Sequence, residues 1–554
     1  MYKRHIWEFD EQEDLKKYPV WFLNASHSIP PWTPMFAWTW LNHLRHGHIY
    51  GCGELSIPWT RSSDWREIDF CSYCTATPIE DEKEVAQRMA EFKKNLQPLI
   101  DDYDNLWQQA LDEMHGYYDK LKAFKYDDAS IYDLYKHFNE ALFVHNRMWE
   151  VHFWWMYAIY GAYWMFEDLC KEYVGISDSS PLWHRLIRGF DNDLFKSDRR
   201  LWGLRNRALE LGIADVFRGN EAKDVIPELE KSEAGVKWLQ EFRTYIREWG
   251  WKMPRMMEFN CASWVGDPTP AVVHVQQFLL EGATFELDNI RPRLVKEREE
   301  AEKEVLAKVP ESEKELFVGL MSISQRAGSF SESHDFHLEH MCHALFRRAL
   351  LGCGRRLVEL GVISQEDDLL FLVPDEVRKI LALPENFDYR DFVARRRQEW
   401  LDAQNIERPG LIGKLTPEEA TEYMRRAKDP IIAKITIGEY QTPRTELGAD
   451  LYGIAGSPGV VEGVARVVTG EGSVGKIQPG DLLVGVTTYS GWTPAFALVK
   501  GIVTDAGGSL AHAGVVGREY DIPVVINTKQ ATQKIKTGQR IRIDGNEGVV
   551  YILD

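Results

Sequence analysis

Positive charge is in short supply: 66 Lys and Arg stand against 85 Asp and Glu in 554 residues, a net charge of −19. That balance opposes phosphate backbones and anionic lipid surfaces, so neither nucleic acid nor membrane is an expected partner. Cysteine is sparse as well, seven residues in an odd and scattered set. The opening stretch MYKRHIWEFDEQED has no apolar core of a signal peptide, and a reducing cytoplasm is the expected setting. Internal repeats and low-complexity tracts are missing, and 44% apolar with 27% charged residues excludes disordered, collagen-like and coiled-coil classes. One run, Trp149 to Phe166, approaches membrane-spanning length. Glu150 and His152 interrupt it and its aromatics are spread throughout instead of gathered at the ends, so a buried helix is expected. What the chain has in surplus is flat apolar surface: 67 aromatic residues, 20 of them Trp.

A chain of this length exceeds one compact core, and its grammar changes along the way. Residues 1–80 are rich in Pro, Trp and Gly and read as an irregular arm or cap. Residues 81–404 repeat apolar positions at intervals of three and four, the pattern of a mainly α-helical domain. Residues 405–447 carry Pro and charge and read as a linker with one short helix over Thr416–Lys428. From 448 to 554, short Val/Ile runs alternate with Gly turns, as in a compact α/β module. The expected architecture is therefore multidomain, mainly α-helical with a C-terminal α/β domain.

The sharpest chemical feature is Gly507-Gly508-Ser509-Leu510-Ala511-His512-Ala513-Gly514, followed by Arg518 and Glu519. A strand runs into a double-glycine turn and a helix begins at or just after Ser509, which puts His512 in its first turn. Unpaired N–H groups and the positive dipole end there favour a phosphoryl group, and neutral imidazole is a competent nucleophile near pH 7. Gly507, Gly508, Ser509 and Arg518 are the candidate phosphate-cradling residues.

The string GGSLAHAGVVGREYDIPVV resembles the phosphohistidine signature of the swivelling domain in phosphoenolpyruvate synthase, pyruvate phosphate dikinase and their relatives. Ser457-Pro458-Gly459, Gly463 to Val467, and the closing Thr537-Gly538-Gln539 and Asp544-Gly545 are similar to the rest of that domain. One departure is Leu510-Ala511, where the family often has hydroxyl or thiol side chains. Only 42 residues follow His512, so no pyruvate-binding barrel is expected in this chain. The preceding region shows no evident Gly-rich nucleotide fold. Gly470 to Lys476 matches a P-loop until Ile477 replaces the Mg²⁺-binding hydroxyl and Pro479 breaks the helix, so a turn is expected there.

A second resemblance lies in the helical region. Gly250-Trp251-Lys252, Glu258-Phe259-Asn260, Ser263-Trp264 and Asp267-Pro268 are similar to a segment of rifampin phosphotransferase and phenylphosphate synthase. Lys252 and Asn260 stand where that segment has Arg and Asp. Arg355-Arg356-Leu357 with Asp367 to Leu372, and Ser26-His27 with Pro31 and Pro34, resemble other parts of the same acceptor-substrate domain. The overall architecture resembles that of the large, histidine-bearing subunit of phenylphosphate synthase. The resemblance implies that ATP, with Mg²⁺, binds a separate ATP-grasp-type subunit, that this chain binds no cofactor tightly, and that His512 passes the phosphoryl group to a small aromatic hydroxyl such as phenol. A non-aromatic or antibiotic hydroxyl, a non-catalytic phosphocarrier, and an enzyme that has lost phosphotransfer are the alternatives.

An attacking hydroxyl needs a group to take its proton. His145, Trp149 and His152 fall on one helix face and read either as an acceptor face or as an aromatic core stripe. His334 and His337 sit in the string Glu332 to His343 and read as acceptor-side groups, metal ligands or a solvated face. Lys252 and Glu258 complete the acceptor candidates. Cys71-Ser72-Tyr73-Cys74 is a lone Cys-x-x-Cys without a second ligand pair, and no metal site is assigned.

Overall fold

A computed structural model describes residues 7–255, 257–436 and 444–553. The chain forms two compact units, each drawn from three segments: residues 1–161, 256–261 and 337–431 make one, and 162–255, 262–336 and 432–554 the other. Of the stretch expected as a linker, 405–431 belongs to the first unit and 432–447 to the second, and 437–443 lie outside the described residues.

In the first unit the N-terminal stretch is regular where an irregular arm was expected. Strands β1 (Val20–Leu23), β2 (Thr60–Ile68), β3 (Cys71–Pro78) and β4 (Leu411–Gly413) form an antiparallel sheet in the order β2-β3-β1-β4. Its strands are rich in Trp, Tyr and Thr, which pack a pleated surface well, but the intervening Pro and Gly hide the alternation. The helix after β4 spans Pro417–Ala427, with Thr416 closing a capping box and Lys428 in the left-handed conformation at its end. It agrees with the expected helix because both stop signals are local.

The aromatic run lies in the helix Ile131–Leu169, with Tyr157 and Tyr160 fully buried and Trp149 4% exposed. It is buried on all sides by protein, as its interrupting charges suggested. Gly47 and Gly51 make room for it: a Cβ on either would fall 2.4 Å from the Trp149 carbonyl oxygen or 2.7 Å from that of Phe153. Among the described residues, no helix is long and apolar enough to cross a membrane.

The second unit carries the C-terminal α/β domain on a helical remainder. Its sheet contains β5 (Leu451–Tyr452), β6 (Ile454–Ser457), β7 (Val460–Val468), β8 (Leu482–Gly485), β9 (Gly501–Thr504), β10 (Val524–Ile526), β11 (Arg540–Asp544) and β12 (Val549–Ile552), in the order β5-β12-β11-β7-β8-β9-β10-β6. β7 to β10 run parallel, and the sheet is covered on both faces, as parallel strands require. Leu482, Val484 and Val503 serve one core, and Leu483 and Ile502 the other. The short segment Glu471–Val474 is a four-residue helix and Ile477 is fully buried, so the near-match to a P-loop is local structure.

Candidate functional site around His512

His512 is the first residue of the helix His512–Tyr520, with Ala511 at the N-cap. The loop before it is fastened through its backbone: the Gly508 N–H donates to Ile435 O (3.1 Å) and the Leu510 N–H to Lys434 O (2.9 Å). Gly507 has φ +110°, and a Cβ on Gly508 would stand 2.3 Å from Lys434 O. The helix lies close on β10, since a Cβ on Gly517 would meet Val524 Cγ2 at 2.3 Å. These small residues therefore serve tight packing. Of the expected phosphate cradle, Gly508 has its N–H engaged by the fold, and Arg518 donates from Nη1 to Gly456 O (2.9 Å) and Ser509 O (3.0 Å). Ser509 Oγ is buried without a hydrogen-bond partner.

The orientation of the imidazole comes from a residue the sequence reading passed over. Glu332, in the last turn of the helix Lys314–His334, places Oε2 2.7 Å from His512 Nδ1. A carboxylate only accepts, so Nδ1 carries the proton and Nε2 is left with its lone pair. Thr493 Oγ1 is 3.5 Å from Nε2, but its hydrogen goes to Ser490 O at 2.7 Å, so this long contact leaves the lone pair open. Phe496 presents its ring to the imidazole at 5.3 Å between centroids. His512 is 9% exposed and Glu332 is fully buried, so little water competes for the bond.

Lys252 is part of the same neighbourhood. Its Nζ is 3.3 Å from Asp198 Oδ1, and both side chains are fully buried. Burial raises the Asp198 carboxyl to about 6, with Lys252 and His512 pulling it down and Glu332 pushing it up. Burial lowers the Lys252 ammonium, against the attraction of Asp198 and Glu332. The lysine is held in place by its own backbone, whose carbonyl accepts the Trp264 N–H at 3.0 Å, and its Nζ stands 5.2 Å from the Trp264 ring centre.

The remaining candidates lie elsewhere. His334, in the second unit, stacks on Phe330 and pairs Nδ1 with the Phe330 carbonyl at 3.0 Å; burial lowers it to about 4. His145, Trp149, His152, Glu258 and His337 belong to the first unit. There His145 is 2.8 Å from His43 through their Nδ1 atoms and packs among Phe259, His343 and Phe346. His152 Nε2 is 3.6 Å from Glu339, and burial raises that carboxyl to about 8. Glu258 accepts from Thr33 N and Thr33 Oγ1, both at 2.6 Å, an anchor for the N-terminal segment. His337 Nδ1 is 3.2 Å from His115 Nε2.

Glu332 and Asp198 are the residues missed. Glu332 was legible as the one carboxylate among Phe330, Ser331 and Ser333, whereas the histidines after it drew the reading. Asp198 sits in the charged string KSDRR, where an acidic residue carries no signal.

Comparison with known proteins assigns both parts. Residues 477–548 match the mobile domain of PEP-utilising enzymes, and residues 152–332 match the fourth domain of rifampicin phosphotransferase. Two parts of the chain are thus similar to domains of phosphohistidine-type phosphotransferases. His512 falls in the part matched to the mobile domain, and Asp198, Lys252 and Glu332 fall in the part matched to the fourth domain. A chondramide synthase of Chondromyces crocatus is 26% identical over 99% of this chain. An uncharacterized phosphotransferase of Bacillus subtilis is 27% identical over 70%, and rifampicin phosphotransferase of the same species 27% over 62%. The chain spans 14%, 45% and 39% of these relatives' lengths.

Proposed function

We propose that His512 receives a phosphoryl group from ATP on a separate ATP-grasp-type subunit, where Mg²⁺ accompanies the nucleotide, and passes it to the hydroxyl of a phenol-like aromatic compound. The observation that carries this reading is the 2.7 Å contact between His512 Nδ1 and Glu332 Oε2. In the first step the Nε2 lone pair forms a bond to phosphorus while the P–O bond to the donor's departing group breaks. The proton stays on Nδ1, and the positive charge that develops on the ring is balanced by Glu332. In the second step the acceptor oxygen forms the new P–O bond and the P–N bond breaks, returning the electron pair to Nε2. Movement of the phosphohistidine domain between donor and acceptor would gate the chemistry by docking.

An aromatic acceptor is favoured by the aromatic surplus, which lies almost wholly before residue 448; Trp492 is the one tryptophan beyond it. A second reading, transfer to the hydroxyl of an antibiotic, is favoured by the name of the relative that matches over 62% of the chain. Incubation with the ATP-grasp-type subunit and ATP labelled at each phosphorus in turn should give acid-labile label on wild type and none on His512→Ala. Phenol, an aliphatic alcohol and rifampicin are then offered as acceptors. Loss of the label to phenol alone is the expected result. Loss to rifampicin alone favours the second reading, label that never leaves indicates a carrier, and absence of label on wild type refutes phosphotransfer.

A further inference from the structure

We infer that Asp198 takes the proton from the acceptor hydroxyl while Lys252 holds the oxygens of the phosphoryl group in transit. The inference rests on the proposed function and assigns the acceptor side of the His512 site. Asp198 lies in the second turn of the helix Asp193–Glu210 and is fully buried. One of its oxygens meets Lys252 Nζ at 3.3 Å, and the other, Oδ2, is buried without a hydrogen-bond partner. The same holds for Glu332 Oε1, Ser509 Oγ and Tyr520 Oη. Each such atom costs about 1–3 kcal/mol when left unsatisfied, and the open oxygens of Asp198 and Glu332, two carboxylates that act on each other and on His512, call for a proton donor.

Their chemistry selects that donor. Carboxylate oxygens only accept and therefore want a proton donor; serine and tyrosine hydroxyls can donate to phosphoryl oxygens. A hydroxyl attacking a phosphoryl group supplies both. Glu332 is already committed to Nδ1 through its other oxygen, which leaves Asp198 Oδ2 as the acceptor for the hydroxyl proton. Asp198 and His512 are close enough for their charges to interact, and the lysine beside them offers a cation that burial makes ready to bind an anion. As the acceptor oxygen bonds to phosphorus and the P–N bond breaks, the hydroxyl proton moves to Asp198 Oδ2 and later to solvent. His512 keeps its Nδ1 proton throughout. The groups whose charge acts on Asp198 are Lys252, His512 and Glu332, and Tyr245 and Tyr520 feel Asp198 in turn. With the Asp198 carboxyl raised to about 6, transfer should quicken as pH rises through that value.

The test separates the two half-reactions. Phosphohistidine is formed first, excess donor is removed, and the acceptor is added in a single turnover. Asp198→Asn should form phosphohistidine at the wild-type rate but pass it on about 10²–10⁴ times more slowly, and the rise of the transfer rate near pH 6 should vanish. Asp198→Asn combined with Lys252→Met removes both members of the buried pair and should show the same selective loss, which guards against misfolding of the single variant. Transfer within threefold of wild type, or equal slowing of both half-reactions with the pH profile kept, would overturn the assignment. If wild type itself forms no phosphohistidine, the proposed function fails and this inference falls with it.

Discussion

Replacing Glu332 by Gln changes one charge and almost no volume. In the native site the Glu332 carboxylate is fully buried, its Oε2 2.7 Å from His512 Nδ1 and its Oε1 without a partner. Hydrogen bonds to charged groups are worth about 1.5–3 kcal/mol, and at about 1.4 kcal/mol per factor of ten this converts to roughly ten- to 150-fold in the rate of N–P bond formation. A further loss follows if the new amide turns its NH₂ toward Nδ1. The ring must then carry its proton on Nε2, which has no lone pair left to attack; loss of the orienting charge and tautomer in a Ser-His-Asp triad costs about 10⁴-fold. Phosphoramidate as donor removes any dependence on a partner subunit, and acid-labile phosphate on quenched samples measures the step. The thermal midpoint should not fall, because the substitution removes a buried charge that faces a neutral ring. A Glu332→Gln protein that phosphorylates within twofold of wild type would refute the idea that Glu332 sets the nucleophile.

Three further outcomes are expected. Gly508→Ala puts a methyl group 2.3 Å from the Lys434 carbonyl, so overpacking should lower stability by about 1–3 kcal/mol in a denaturant titration. Lys434 is fully buried between Glu167 (2.8 Å) and Asp178 (3.1 Å); Lys434→Met leaves Glu167 with Lys171 but takes the buried cation from Asp178, and should cost about 3–5 kcal/mol by the same assay. Glu519 accepts the backbone N–H groups of Gly189 and Phe190, and burial raises its carboxyl from 4.5 to about 7, against the pull of those N–H groups, Arg518 and Arg291. The folded state therefore binds this proton more tightly than the unfolded chain. Stability should fall by about 3 kcal/mol as pH rises from 4.5 to 7, and that slope should disappear in Glu519→Gln.

Features encoded within a few neighbouring residues were readable. The helix Pro417–Ala427 follows from Thr416, Pro417 and Glu419, and the helix after Ala511 from the double glycine and the small residues beyond it. The sheet of residues 7–80 was not readable, since β1 is only four residues long and its partner β4 comes nearly 400 positions later. The fate of His145 and Trp149 was also undecided by periodicity: a ring stripe looks the same whether it faces a substrate or Phe259 and Phe346.

By itself, the sequence determined the two-part organisation, mainly helical and then α/β, and the local frame of His512. A histidine after Gly507-Gly508, at the start of a helix in an α/β module, resembles the phosphohistidine signature, and it is legible because the imidazole, its turn and its helix terminus are contiguous. Only the tertiary structure decided which groups serve that histidine. Glu332 reaches it from 180 positions away, and Asp198 and Lys252 form their buried pair across 54. Charges interact through space, and burial strengthens them; neither distance nor burial is written in any local pattern, so the histidine was legible and its electrostatic environment was not.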